Sequence, residues 1–424
     1  MFDAIESLPI AEVLPDIRHA LTTVDDLVLE APPGAGKTTA VPLALLAEPW
    51  LAGQTILMLE PRRVAARNAA SRMASLLGEQ VGVTVGYRIR LDTRVSARTR
   101  LEVITEGVLT RRLQQDPELH GVGLVIFDEF HERSLESDLG LALTLQARAL
   151  FRETAVLKLL VMSATLDGAR VSELLGGAPL LRPSGRGFPV GISSLGSASG
   201  DRGVTSAAVA AVQRALVERS GGILVFLPGQ REIPRVAASL SSAVTSDDVV
   251  VAPIYGRLSL RRQQQAIEAP PPGIRKIVLA TNIAESSLTI DGIDTVVDTG
   301  LVRVARFDPV SGLTRLDTRR IARDSAEQRC GRAGRLSPGH CYRLWSEEEQ
   351  GRLEERATPA VLHEDLGAVV LQLLAWGYDR PDGLAWLDRP PRAAWEQGLQ
   401  VLVRLGAAES GEAGDYCLTP HGVN

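Results

Sequence analysis

The chain is poor in the residues that build special-purpose proteins. Three cysteines, Cys330, Cys341 and Cys417, occur in 424 residues, too few and too scattered for a disulfide framework, and nothing near them supplies zinc-ligand spacing. No apolar run approaches the roughly 20 residues that span a bilayer. The opening "MFDAIESLPIAEVLPDIRHAL" carries acids where a signal peptide would carry positive charge. The cytoplasm, without membrane contact, is therefore the expected setting. Positive charge is in slight deficit, with a net charge of −5 and a pI near 5.8. That argues against a surface that coats polyanions throughout, while a local basic channel remains open. Lysine is as scarce as cysteine, limited to Lys37, Lys158 and Lys276. A lysine inside a motif that needs a compact ammonium is then informative.

What is present is an ordinary globular balance, 45% hydrophobic and 23% charged, long enough for two or three domains. "DLVLEA", "TILMLEP", "RLEVITEG", "GLVIFDEF" and "LKLLVMSAT" read as buried strands, and helical patterns such as "KTTAVPLALLA" and "VAARNAASRMASLLGE" fall between them. This βαβ rhythm predicts an α/β domain with a parallel sheet over residues 1–190. The texture changes to Gly, Ser and Pro over 182–203, which reads as a linker. The rhythm then restarts, predicting a second α/β domain over 191–357. Residues 358–424 turn helical and are expected to form a small, incomplete winged-helix unit.

"APPGAGKTT" lies between a strand and a helix, the setting of a phosphate loop. Backbone N–H groups there surround phosphates, Lys37 reaches the β- and γ-phosphates, and the Thr38 hydroxyl binds Mg²⁺. The strict pattern wants glycine at position 31, where this chain has alanine; Gly34 and Gly36 still allow close approach. Gly34, Ala35, Gly36, Lys37, Thr38 and Thr39 are the candidate nucleotide-binding residues. A carboxylate on a neighbouring strand should hold the metal and another should orient water. Asp128 and Glu129, after the apolar run of "GLVIFDEFHERSLESD", answer both needs, though by themselves they also suit a helix cap. Ser163 and Thr165 of "MSAT" either link that strand end to His131 or form a plain capping turn. "QRCGRAGR" supplies Gln328 to orient water, and Arg332 and Arg335 to meet developing phosphoryl charge, in a site completed by closure of the two domains.

In order, these pieces resemble a superfamily 2 helicase of the DEAH-box group, and more narrowly the bacterial HrpB type. "APPGAGKTT" matches motif I, "EPRRVAAR" motif Ia, "TEGVLTR" motif Ib, "DEFHER" motif II and "SAT" motif III. "FLPGQREI" resembles motif IV, "ATNIAESSLTIDGIDTVVDTGL" motif V and "QRCGRAGR" motif VI. The resemblance implies two tandem RecA-like domains that bind ATP with Mg²⁺ and pass single-stranded RNA or DNA. It implies that Arg62, Arg63, Thr105, Glu106, Gly107, Thr281 and Asn282 contact the strand. It also implies that Asp291 meets the ribose and that His131 couples nucleotide state to the second domain. Arg-rich stretches such as "GYRIRLDTRVSARTR" suit phosphate tracking, and with few aromatics beside them little base stacking is expected. "LVRVARFDPVSGLTRLDTRR" reads as a β-hairpin, a strand wedge by resemblance and a plain edge hairpin by pattern. Motif II departs from the group at Phe130, a variant that resembles the HrpB branch. The adenine-stacking aromatic is replaced by the region of Glu268, so several NTPs are expected as substrates. Two functions follow: an NTPase that translocates 3′ to 5′ and unwinds, or a partner-regulated nucleic-acid-binding module with weak hydrolysis. A monomer, with room for a protein partner, is expected in either case.

Overall fold

Buried runs rich in Val, Ile and Leu need both faces covered, and they form two parallel sheets flanked by helices. The computed structural model describes residues 8–423 except 153–155, 165–166, 184–187, 197–199, 245, 247, 287, 289, 309–310, 336 and 412–414, and except the side chains of 201, 202 and 260. The described chain groups into two compact units. One comprises Met1–Gly185, Ala305–Arg315 and Thr358–Asn424; the other comprises Arg186–Val304 and Leu316–Ala357.

The first sheet orders its strands Asp92–Arg94, Val85–Ile89, Leu101–Thr105, Thr55–Glu60, Val122–Phe127, Lys158–Ser163, Asp26–Glu30 and Leu180–Leu181. All pairings are parallel except that of the two strands flanking Leu91, whose φ of 67° makes the tight reversal. Alternate residues of one strand enter opposite cores, as the two-residue period requires. Leu57, Leu59, Val125 and Phe127 join one core, while Ile56, Met58, Leu124 and Ile126 join the other. The register pairs Glu60 with Thr105, Leu59 with Phe127, and Glu30 with Ser163. Five strands therefore end on one edge, and motifs I, Ia, Ib, II and III each begin there. Ligands of open α/β sheets bind at that carboxyl edge.

The second sheet orders Val249–Ile254, Arg275–Ala280, Gly222–Phe226, Ile293–Asp298, Gly339–Arg343 and Val190–Ser194, all parallel. Two features differ from the sequence expectation. The stretch 182–203 is not all linker: Val190–Ser194 is an edge strand and the helix Gly200–Glu218 has already begun. An edge strand with most of its surface open carries little of the apolar signal that marks a buried one. Among the described residues, 358–424 form no core of their own. Helices Gly367–Ala375 and Arg392–Arg404, with Trp386 and Trp395, join the core formed around Leu109, Leu139 and Leu143. The expected hairpin forms from Leu301–Asp308 and Leu313–Arg320. Its Phe307 N–H donates to the His363 carbonyl at 3.0 Å, which ties its end to this C-terminal region. Among the described residues no helix is long and apolar enough to cross a membrane.

Candidate active site

The strand Asp26–Glu30 runs into the phosphate loop through Ala31, whose N–H donates to the Ser163 carbonyl at 2.9 Å. Ala31 thus continues the ladder in ordinary backbone, so no glycine is needed there. The freedom is needed later, at Gly34 and Gly36, with φ of 85° and 94°. Helix Lys37–Leu45 starts directly after Gly36, so its first N–H groups, which have no intrahelical acceptor, ring the loop. Lys37 is buried. Its Nζ donates to Glu129 Oε1 at 3.0 Å, and Thr38 Oγ1 donates to Asp128 Oδ2 at 2.5 Å. Residues 90 apart in sequence thereby form one cluster.

Asp128 extends its strand by one more bond, its N–H donating to the Leu59 carbonyl at 3.1 Å. The chain then turns sharply through the 3₁₀ turn Phe130–Glu132, bounded by Glu129 and Arg133 with φ of 52° and 46°. Such left-handed non-glycine residues are strained, and strain of this kind concentrates at functional sites. The turn presents Glu129 to Lys37 on one side and to His131 on the other. His131 Nε2 lies 3.3 Å from Glu129 Oε2, while His131 Nδ1 accepts the Ala164 N–H at 3.2 Å. A ring nitrogen that accepts from an amide is unprotonated, so the neutral ring carries its proton on Nε2, toward Glu129. The Ala164 N–H thus links the end of the "MSAT" strand to His131 through the backbone. Ser163 is buried at that strand end, and Thr165 lies outside the described residues. Phe130, the departure in motif II, is a core residue, 2% exposed and edge-on to Phe127.

The electrostatics of the cluster are those of a site built for cations. Burial pushes the Asp128 carboxyl up to about 6, with Glu129 adding to the shift and Lys37 opposing it. Burial also disfavours the Lys37 ammonium, but Glu129, Asp128 and Glu60 outweigh it and hold its pKa above the ordinary value. Glu60, absent from the sequence-derived set, is fully buried. Burial, then Asp128 and Glu129, pushes its carboxyl well above the usual range. Three carboxyl groups crowd one ammonium. A divalent cation with phosphates suits that imbalance, and one hydroxyl plus one carboxylate is a donor set of the kind Mg²⁺ uses when phosphate and water complete its shell. Among the described residues no group of three or more His, Cys, Asp or Glu could hold a metal by itself.

Two of the residues expected to contact a strand, Arg62 and Glu106, bond side chains of the motif II segment. Arg62 Nη2 donates to Glu132 Oε2 at 3.0 Å. Ser134 Oγ donates to Glu106 Oε1 at 2.8 Å, and burial pushes the Glu106 carboxyl up to about 8. Arg63 and Gly107 are exposed and Thr105 half-buried. Arg133, also missed in the sequence, is bidentate to Asp138 at 2.9 and 2.8 Å and reaches Asp388 Oδ2 at 2.7 Å.

In the second unit Asn282 and Asp291 are exposed and Thr281 is half-buried. Motif VI forms the helix Arg323–Gly331 and the turn after it. Gln328 is buried and Arg335 half-buried. Arg332, expected as a finger, is buried and donates through Nε to the Glu285 carbonyl at 2.9 Å and through Nη1 to that of Leu288. To meet a phosphate its guanidinium must leave those carbonyls. Arg329, not foreseen, is fully buried, paired with Glu285 at 2.8 Å and Asp298 at 3.0 Å and stacked over Phe226.

Comparison with known proteins supplies the context of this geometry. Residues 11–174 match the DEAD/DEAH box helicase family and residues 207–337 the helicase conserved C-terminal domain. The chain is 50% identical to the ATP-dependent RNA helicase HrpB of Escherichia coli over 96% of its own length and 49% of that protein's. It is 37% identical to the pre-mRNA-splicing factor ATP-dependent RNA helicase prp22 of Schizosaccharomyces pombe, over 98% of this chain and 36% of that one. The crystal structure of the Escherichia coli DEAH/RHA helicase HrpB superposes with a TM-score of 0.89 at 49% identity, covering 98% of this chain and 52% of that one. The chain spans about half the length of the HrpB relative and about a third of the prp22 one.

Proposed function

The chain belongs to the DEAH-box helicases of the HrpB type, with two tandem RecA-like domains, and on that premise we propose that it hydrolyses ATP to move 3′ to 5′ along single-stranded RNA. The observation that supports this most strongly is the largely buried cluster of Lys37, Thr38, Asp128, Glu129 and His131 at the carboxyl edge of the first sheet.

Before nucleotide arrives, Lys37 neutralises Glu129. Phosphates draw the Lys37 ammonium toward themselves, which leaves Glu129 Oε2 to accept a proton from the attacking water, with His131 Nε2–H steadying that carboxylate. Thr38 Oγ1 and Asp128 would hold a magnesium ion, which supplies positive charge to the phosphates during transfer. Gln328, Arg332 and Arg335 are the proposed groups that orient water and meet the charge developing on the γ-phosphate. Gly34, Ala35, Gly36 and Thr39 line the loop, and Asp291 is the proposed ribose contact. Arg62, Arg63, Thr105, Glu106, Gly107, Thr281 and Asn282 are the proposed strand contacts, read without regard to sequence. With Glu268 in place of an aromatic, several NTPs should serve.

The test is hydrolysis of ATP with and without oligouridylate or oligothymidylate. Acceleration by the strand is expected, and Glu129→Gln should lower the rate by about 100-fold or more while leaving nucleotide binding. Hydrolysis that persists in that variant would refute the site. A rate indifferent to both strands would instead favour a binding module with weak hydrolysis.

A further inference from the structure

We infer that Glu132 is a positioning residue that couples the strand to hydrolysis: it holds Arg62 against the motif II turn until a phosphodiester of the strand takes Arg62 away. This rests on the strand-stimulated NTPase proposed above and adds the contact by which stimulation reaches the catalytic carboxylate.

The three residues after His131 are each tied to a different element. Glu132 pairs with Arg62, beside the N-terminus of helix Arg63–Leu76. Arg133 pairs with Asp138 and Asp388, and its carbonyl accepts the Ala360 N–H at 3.2 Å. Ser134 bonds Glu106 at the first position of helix Glu106–Gln115. These ties are not equally open to a polyanion. The side chains of Arg133 and Asp138 are 8% and 1% exposed, whereas those of Arg62 and Glu132 are 22% and 19% exposed. A phosphate in solution reaches the second pair and not the first. Ser134 and Glu106 offer it no cation. Ion pairs open to solvent in part are weaker than fully buried ones, and a phosphodiester presents the guanidinium fork with charge-assisted bonds as good as those of a carboxylate. The strand can therefore win Arg62 from Glu132.

The consequence is local. Glu132 closes the 3₁₀ turn that Glu129 opens, and His131, the residue before it, touches Glu129 Oε2. Arg133 anchors the far end of the turn, so loss of the Arg62–Glu132 pair acts on the turn at its catalytic end rather than as a whole. The pair acts as a restraint that the strand lifts.

The experiment compares the unmodified chain with Glu132→Gln, which keeps the shape and removes the charge. ATP hydrolysis is measured with and without oligouridylate, and oligouridylate affinity by fluorescence anisotropy. Strand affinity should rise about two- to five-fold, since a competitor worth one partly exposed ion pair is gone. The strand-free rate should rise toward the stimulated one, and their ratio should fall by about two-fold or more. A second variant, Arg62→Gln, should raise the strand-free rate in the same way while weakening strand binding. Unmodified protein that responds to the strand, with Glu132→Gln indistinguishable from it, overturns this inference alone. Equal loss of both rates in Glu132→Gln, or a strand-free rate unchanged in both variants, also overturns it. Unmodified protein indifferent to oligouridylate and oligothymidylate overturns the proposed function, and this inference with it.

Discussion

Replacing Arg133 with alanine should destabilise the first unit by about 3–5 kcal/mol, the cost of leaving one member of a buried ion pair without its partner. The size follows from where the charges lie. Asp138 has a side chain 1% exposed, and its two oxygens both receive bonds from the Arg133 guanidinium. Asp388 is 20% exposed and keeps Arg170 at 2.9 Å, so its own loss is small. Burial already raises the Asp138 carboxyl above its ordinary value, with Arg133 pulling it back. Without Arg133 the pull disappears, and Asp138 escapes the bare charge by taking up a proton. A carboxyl whose folded pKa exceeds its unfolded one contributes stability at low pH and loses it as pH rises. The deficit of the variant should therefore grow as pH rises above the ordinary aspartate range. The backbone supplies a second handle. With φ of 46° at position 133, Arg133→Gly should be milder than Arg133→Ala by about 1 kcal/mol, although glycine removes more side chain. The assay is urea unfolding followed by tryptophan fluorescence, because Trp386 and Trp395 are buried in the core this residue borders. A loss under about 1 kcal/mol, or glycine no better than alanine, would refute the account.

Two further outcomes follow from single positions. Gly36→Ala should weaken binding of a fluorescent ATP analogue about tenfold, because φ is 94° and a Cβ would meet Leu8 Cδ1 at 2.8 Å; unaltered affinity would refute the role of this bend. Glu106 has a folded pKa of about 8 against an ordinary 4.5, so its contribution is full below the ordinary value and lost as pH rises through about 8. Because it is half-buried, Glu106→Gln should flatten the stability profile between about pH 5 and about pH 9 by only about 1–2 kcal/mol. A profile unchanged by the substitution in urea denaturation would show that this carboxyl is not the group titrating.

The phosphate loop, motif II and both parallel sheets were legible because each is a local signal: a buried run, then a loop, then a helix start. Asp128 and Glu129 stood out because they follow such a run. Glu60 did not, although it occupies the matching position on the neighbouring strand, since a lone acid before "PRR" has no local mark of burial. Arg133 lies within motif II with no local sign of its task, its partner Asp388 being 255 residues away. The edge strand Val190–Ser194 was hidden in a Gly- and Ser-rich stretch for lack of apolar periodicity.

The amino-acid sequence by itself determined which segments become strands and helices, and which side chains stand at the strand ends, because period and loop chemistry act over a few residues. Tertiary structure decided the rest. It placed Lys37 on Glu129 and Thr38 on Asp128 and crowded Glu60 beside them. It also packed helices Gly367–Ala375 and Arg392–Arg404 into the first unit's core and closed Arg62 onto Glu132. Those outcomes depend on register and burial, since desolvation and pairing between distant residues exist only once the strands are side by side.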